Sequence, residues 1–213
     1  MTHRLLMILM AATLAACGSK PVQPDWQSDA AHALKGYSDA YLKGDSADAA
    51  SEFARARLAM TSTGRPDLVA HAELYRCATR AASMEYDGCP GFEALAQDAT
   101  AAEHAYAAYI AGRLDAVDAA LLPEQHRPIA QGKGNLAALA DPLSRLVAAG
   151  VLMKAGRISP ADIVVATDTA SSQGWRRPLL MWLGVSLKRA QAAGDSVEAA
   201  RLQRRIALAS QPG

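Results

Sequence analysis

The stretch Gly44-Asp45-Ser46-Ala47-Asp48-Ala49 decides how this chain folds. A glycine followed by aspartate and serine is typical of a turn between two helices, because glycine ends one helix and the polar side chain caps the next. Apolar residues at helical spacing precede the turn, at Ala30, Leu34, Tyr37 and Tyr41. A second such stripe follows it, at Ala49, Phe53, Ala56 and Met60. The pattern predicts two antiparallel helices that pack through these stripes.

Residues that begin or end helices recur along the rest of the chain. A proline or a capping residue stands where each further helix is expected to begin, at Pro66, Thr100, Asp141, Ser159, Pro178 and Asp195. Alanine supplies much of the 51% hydrophobic content, and it is the best helix former. The one β-branched cluster, Ile163-Val164-Val165, lies within a helical pattern. We therefore predict an all-α domain over residues 29–210, with a short helix at 114–122 and an irregular connection at 124–134.

The helix–turn–helix units resemble a known repeat family. Gly44 to Ala49 with Phe53 and Ala56, and Gly194 to Ala199 with Ile206, are similar to the second half of a tetratricopeptide repeat. Gly44 and Gly112 lie 68 residues apart, close to two repeats of about 34 residues. The resemblance implies antiparallel helix pairs in a tetratricopeptide-like or α-solenoid array. The Trp-Leu-Gly-Tyr positions of the family's first helix are poorly kept, so a compact helical bundle remains the alternative.

The N-terminus has the pattern of an export signal. Arg4 precedes the apolar run Leu5 to Ala16, which is too short to span a bilayer. The end of this run, Leu14-Ala15-Ala16-Cys17, resembles the lipobox of bacterial lipoproteins. In that family the leader is cleaved before the cysteine, whose sulfur and amino group are then acylated. The alternative is an ordinary secretory signal with Cys17 as an unrelated thiol.

The lipobox resemblance implies an organisation for the first 28 residues. Residues 1–16 would be the signal peptide, and 17–28 the lipid anchor and a flexible spacer that contains two prolines. In lipoprotein sorting an aspartate after the cysteine marks retention in the inner membrane. Gly18 and Ser19 follow Cys17 here, which favours the periplasmic face of the outer membrane. The lipid would then be the membrane link.

The charge balance argues against nucleic acid as a partner. Removal of Arg4 with the leader leaves 21 basic residues against 21 acidic ones. A chain without net charge has no electrostatic reason to bind nucleic acid, or an anionic bilayer without the lipid. No later segment reaches 18 apolar residues, since 136–153 is interrupted by polar residues and a proline.

Cys77 and Cys89 are expected to form a structural disulfide. With Cys17 lipidated they are an even pair, and an oxidising compartment favours their bonding. A redox-active role is the first alternative, but such pairs usually have the spacing Cys-x-x-Cys. Metal ligation with His71 is the second, although no other histidine keeps ligand spacing.

No residue pattern indicates catalysis. We interpret His32, His104 and His126 as solvated surface residues, although Glu103 beside His104, or Glu124 near His126, could form a base and its partner. Nucleophile elbows, phosphate-binding loops and His-Glu-x-x-His helices are missing from the sequence. We therefore expect no enzyme, no cofactor and no metal.

Two further features suggest ligand contact. Trp175-Arg176-Arg177 precedes Pro178 at an expected helix start, where a tryptophan and two guanidinium groups could hold an anionic ligand. The alternative is that Trp175 packs on the following helix and both arginines are solvated. Four tyrosines at helical spacing could line a peptide groove or belong to the core: Tyr37, Tyr41, Tyr106 and Tyr109.

Together these patterns suggest a hypothesis about function. Stacked helix pairs present an extended face suited to recognition. The resemblances imply an outer-membrane-anchored periplasmic lipoprotein that acts as a protein- or peptide-binding scaffold or adaptor in the cell envelope. One alternative is a periplasmic enzyme or enzyme subunit acting on cell-wall material. Another is a purely structural lipoprotein.

Overall fold

The structure, a computed structural model, describes residues 24–211. These residues form ten α-helices and no β-strand. The helices are α1 (Asp25–Lys43), α2 (Ser46–Thr61), α3 (Pro66–Ala81), α4 (Pro90–Glu93), α5 (Ala101–Ile110), α6 (Arg127–Ala130), α7 (Pro142–Lys154), α8 (Pro160–Ser172), α9 (Arg176–Ala192) and α10 (Ser196–Ala209). The predicted all-α class is thus confirmed for the described part of the chain. The lipobox and Cys17 lie outside it.

The helix ends follow from local chemistry. Gly44 ends α1 with φ at 98°, in the left-handed region that glycine enters without strain. Asp45 caps α2 by accepting a hydrogen bond from the Asp48 amide at 3.0 Å. The same arrangement starts α7 at Asp141 and α10 at Asp195. Thr100 and Ser159 form reciprocal capping boxes at α5 and α8.

Four segments differ from the prediction. The first is the expected irregular connection at 124–134, where the 3₁₀ turn Glu124–His126 leads directly into α6 (Arg127–Ala130). α1 begins at Asp25, so residues 25–28 of the expected spacer are helical; Pro24 precedes the helix, and the Asp25 carboxylate favours its first turn. α9 begins at Arg176, two residues before Pro178. The stretch expected as one short helix is two 3₁₀ turns, Leu114–Ala116 and Ala119–Leu121. Asp118 separates these turns, because its carboxylate accepts the Ala120 amide and starts a new one.

Consecutive helices pack in pairs around one main core. The closest pairs are α1 with α2 and α9 with α10, and α7, α8 and α9 pack in sequence. The main cluster draws on most of the chain and includes Tyr37, Leu74, Tyr109, Leu146 and Trp182. No helix between residues 24 and 211 combines the length and the apolar character that crossing a bilayer requires.

Helices that are far apart in the sequence contact each other, so that α9 packs against α1 and the end of α3. The Arg177 Nε of α9 donates to the Tyr41 carbonyl of α1 at 2.7 Å. The indole Nε1 of Trp182, also in α9, donates to the Ala82 carbonyl at the end of α3 at 3.1 Å. In an open solenoid each repeat contacts only its neighbours. The late helix α9 instead packs on the first and third helices, which favours the compact arrangement among the alternatives left open by the sequence.

A glycine permits the close crossing of α3 and α7. A Cβ atom at Gly150 of α7 would overlap the Ala81 carbonyl oxygen of α3. The Gly150 carbonyl in turn accepts a hydrogen bond from the Tyr86 hydroxyl at 2.7 Å. The two backbones therefore touch at this position, and only a residue without a side chain fits there.

Candidate functional site

An apolar groove lies between α3, α5 and residues 121–123, which comprise the last residue of the second 3₁₀ turn and the two that follow. It has a volume of ≈ 370 Å³. We define the groove by its lining residues: His71, Leu74, Tyr75, Ala102, Glu103, Tyr106, Leu121, Leu122 and Pro123. Ligand pockets in proteins commonly occupy about 300–1,000 Å³ and have mostly apolar walls with a few polar groups. The groove matches this description in size and in lining.

Two phenols give the groove a polar edge. Burial raises the pKa of Tyr75 and of Tyr106 above the ordinary value for a phenol. Both side chains therefore stay protonated at neutral pH and combine apolar rings with hydroxyl groups that hydrogen-bond. Such a surface suits an aliphatic or aromatic side chain with a polar backbone beside it.

Beneath Tyr106, the side chains of Tyr109 and His126 form the base of the groove, which we call the tyrosine floor. The Tyr106 ring stacks on Tyr109, with ring centroids 6.0 Å apart. The Tyr109 hydroxyl forms a hydrogen bond with Nδ1 of His126 at 3.1 Å. His126 is only 2% exposed, so the interpretation of this histidine as a solvated residue is wrong. The 3₁₀ turn Glu124–His126 directs its ring into the core.

Burial also determines the protonation state of His126. The loss of solvent lowers its pKa from 6.5 to about 4, and the negative charge of Asp141 opposes this shift only in part. The imidazole is therefore neutral at physiological pH and supports the tyrosine floor. It is not exposed to a substrate in the groove.

The suggested histidine–carboxylate pair at Glu103 does not form. The Glu103 Oε2 accepts hydrogen bonds from the Thr100 amide and hydroxyl, at 2.7 and 2.9 Å. His104 is exposed and lies edge-on to Phe92 at 5.8 Å. The carboxylate is therefore part of a helix cap. His32 is exposed outside the groove, and His71, also exposed, is one of the groove's lining residues.

Cys77 and Cys89 are bonded to each other, as predicted. Their Cα atoms lie 5.8 Å apart, within the usual range for a disulfide. The bridge forms one wall of a second cavity, which has a volume of ≈ 150 Å³ and also contains Arg113 and Lys154. This charged cavity is less than half the size of the apolar groove. The groove is therefore the better candidate for a side chain of a partner.

Arg177 is used within the fold. Besides the Tyr41 carbonyl, its guanidinium contacts the Ser46 hydroxyl at 2.6 Å and the Glu85 carboxylate at 3.3 Å. It also lies over the Tyr41 ring, 4.3 Å from the centroid. These contacts occupy the Arg177 guanidinium, one of the two guanidinium groups that the sequence suggested for an anionic ligand.

The other two residues of the suggested patch behave differently. Trp175 is half-buried and packs against the main core. Arg176 is half-exposed and donates to the Gln211 carbonyl at 3.2 Å. Arg176 therefore bonds to a carbonyl of the C-terminal segment, whereas Arg177 bonds to α1, α2 and Glu85.

The tyrosines are divided between the core and the groove. Of the four tyrosines that the sequence suggested for a peptide groove, Tyr37, Tyr41 and Tyr109 are buried, and Tyr106 lines the groove. Sequence reasoning missed the rest of the lining, notably Tyr75 and the 121–123 segment. The spacing of His71, Leu74 and Tyr75 at i, i+3 and i+4 on one helix face was visible. The approach of residues 121–123 depends on tertiary packing that no local pattern signals.

Comparisons with known proteins add no further constraint. The sequence matches no family model, and it has no significant match among curated proteins or solved structures. The groove, the disulfide and the N-terminal motif are therefore the features that bear on function.

Proposed function

We propose that the protein is an exported lipoprotein, anchored through Cys17 on the periplasmic face of the outer membrane, whose helical domain binds a protein or peptide. The observation that carries the binding function is the apolar groove, with Tyr75 and Tyr106 in its walls. A peptide segment with an aliphatic or aromatic side chain would bury apolar area there and hydrogen-bond to the phenols. The protein would thus act as a scaffold or adaptor in the cell envelope.

The disulfide supports the proposed compartment. Disulfides persist in the periplasm and other oxidising environments and are rare where thiols are kept reduced. The bond between Cys77 and Cys89 therefore agrees with export. Cys17 remains as the third cysteine, and acylation of its sulfur would account for it.

The groove can be tested with a pair of matched leucine variants. Leu121 lines the groove and is 40% exposed, whereas Leu208 is 71% exposed on α10. A lysine at either position should leave the fold intact, because both side chains already reach solvent. In Leu121→Lys the charge would lie against the apolar lining and cost binding energy on desolvation.

The experiment is chemical cross-linking in the envelope, followed by purification of the full-length protein and identification of bound proteins. We expect one partner to be recovered with the wild type and with Leu208→Lys, and at least tenfold less with Leu121→Lys, equivalent to about 1.4 kcal/mol or more. Equal recovery with both variants would place the partner elsewhere. Absence of any partner from the wild type would refute the binding function.

The anchor is tested separately by mass spectrometry of the mature N-terminus and by membrane fractionation. We expect acyl chains on Cys17 in the wild type, and neither acylation nor cleavage of the leader in the Cys17→Ser variant. An intact leader or an unmodified thiol would refute the lipoprotein assignment.

A further inference from the structure

A second surface lies at the end of the molecule where α1 begins. Trp26, Asp29, Arg55, Leu58, Ala59 and Ser62 line a shallow hollow of ≈ 450 Å³, which we call the basal patch. Leu58 is 72% exposed and Trp26 is half-buried. Trp26 lies in the first turn of α1 and Leu58 in the last turn of α2, so antiparallel packing brings them to the same end.

The proposed anchor at Cys17 would place the end of the domain where α1 begins near the membrane. Six residues lie between Cys17 and Pro24, where the described chain begins, so the connection has seven residue-to-residue steps. Whatever conformation they adopt, they reach at most about 25 Å. The inference thus rests on the proposed acylation of Cys17. An acylated Cys17 would hold the start of α1, and with it the basal patch, within that distance of the lipid headgroups.

The residues of the basal patch match the chemistry of a bilayer surface. An indole ring prefers the headgroup level, where one side is apolar and the other hydrated. Leu58 offers an aliphatic side chain. The Arg55 guanidinium donates to the Glu52 carboxylate at 2.7 Å, and with 58% of the side chain exposed its other N–H groups can donate to lipid phosphates. We propose that the basal patch rests on the phospholipid surface, with Trp26 and Leu58 in the headgroup region.

The lipid anchor makes a small contact area sufficient to hold the basal patch on the membrane. Once a lipid anchor is inserted, the second contact is intramolecular and takes place at a high effective concentration. One tryptophan and one leucine would bind a vesicle weakly on their own. Held beside the membrane by the anchor, they would orient the domain, so that α1 stands with its C-terminal end away from the lipid.

The opposite end of the molecule offers internal controls. α1 has 19 residues, so its ends are about 28 Å apart. Arg177 contacts Tyr41 near the far end of α1, which places Trp175 there as well. Leu208 is also at that end, since Arg176 contacts the neighbouring Gln211. Trp175 and Leu208 therefore match Trp26 and Leu58 in residue type but face away from the lipid.

The test uses the full-length lipidated protein in phosphatidylcholine vesicles with and without bromines on the acyl chains, which quench nearby tryptophans. The chain has three tryptophans, and Trp182 is fully buried. We expect quenching that is lost in Trp26→Phe and retained in Trp175→Phe. Leu58→Glu should also reduce the quenching, whereas Leu208→Glu should leave it unchanged.

Each outcome decides the proposal. If mass spectrometry confirms acyl chains on Cys17 and Trp26 is not quenched, the membrane contact is refuted while the anchor stands. If Trp26 is protected from both brominated lipid and aqueous acrylamide, another protein or a second copy covers the patch, and the proposal fails. If Cys17 carries no lipid, both the anchor and the inference that rests on it fail.

Discussion

Arg177 connects three helices through a single guanidinium group. It joins the end of α1 at Tyr41, the start of α2 at Ser46 and the Glu85 carboxylate. The run Trp175-Arg176-Arg177 indicated a basic helix start, which the structure contains. The partners of Arg177 could not be predicted, because they lie between 92 and 136 residues away in the sequence. Nothing in the local pattern distinguishes Arg177 from Arg176.

Replacement of Arg177 should therefore destabilise the fold. We expect Arg177→Ala to lower the free energy of unfolding by about 2 kcal/mol, since it removes charge-assisted hydrogen bonds and the contact with the Tyr41 ring. Arg176→Ala is the matched control and should change stability by less than about 0.5 kcal/mol. Urea unfolding followed by circular dichroism measures both. Equal effects would contradict the structural role of Arg177.

His126 should make stability depend on pH. Its folded-state pKa of about 4 lies below the 6.5 of a free imidazole, so the folded protein binds fewer protons than the unfolded chain. The contribution is complete above pH 6.5 and is lost as the pH falls towards 4. The loss amounts to about 3 kcal/mol.

The difference between two variants isolates this contribution from the titration of carboxylates. Urea unfolding between pH 7 and pH 4 should show about 3 kcal/mol more loss in the wild type than in His126→Gln. The exposed His104 provides the control, and His104→Gln should follow the wild-type profile. A His126→Gln profile parallel to that of the wild type would contradict the buried neutral imidazole.

At the scale of the helices, helix starts were the feature best predicted from the sequence, because capping residues mark them. The side chains of Asp45, Thr100, Asp141, Ser159 and Asp195 start helices because each satisfies an amide of the first turn locally. The region 114–138 was predicted less well. Its 3₁₀ turns are too short to show a periodic row of apolar residues in the sequence. Their positions are determined by packing against the hydrophobic core. The groove wall at 121–123 belongs to this region.

The crossing of α3 and α7 depends on one glycine. A Cβ at Gly150 would overlap the Ala81 carbonyl, and neither backbone can move without opening the core. We expect Gly150→Ala to cost about 3 kcal/mol, although alanine favours a helix. The control is Gly184 in α9, where nothing lies within 4 Å of the added methyl group. Gly184→Ala should stabilise the protein by about 0.5–1 kcal/mol. Thermal or urea unfolding of both variants decides the prediction.

On the scale of the whole molecule, the contacts of α9 determine how the domain unfolds. α10 packs mainly on α9, through the small cluster of Leu183, Ala190 and Leu202. α9 itself places Trp182 in the main core and reaches α1. Helix pairing was predictable from the turns between neighbouring helices. The closure of the array was not, because no repeat pattern in the sequence pairs the first helix with the ninth.

Stepwise truncation should reveal this closure. Removal of residues 196–213 should leave a folded domain of reduced stability with one cooperative transition. Removal of residues 176–213 should abolish the transition, since it exposes the core around Trp182 and leaves Tyr41 without Arg177. Circular dichroism during urea titration measures both. A cooperative transition in the shorter chain would indicate independent repeats, as in a solenoid.

The contact between Arg177 and Tyr41 has a consequence for the order of events during biosynthesis. The ribosome makes α1 early, yet the residues that complete its surroundings emerge only when more than three quarters of the polypeptide has been synthesised. Pairings so far apart in sequence slow folding, because a long loop must close before they form. A nascent chain of this kind stays incompletely folded until its C-terminal part is available, and an unfolded chain is what the proposed export through a translocation channel would require.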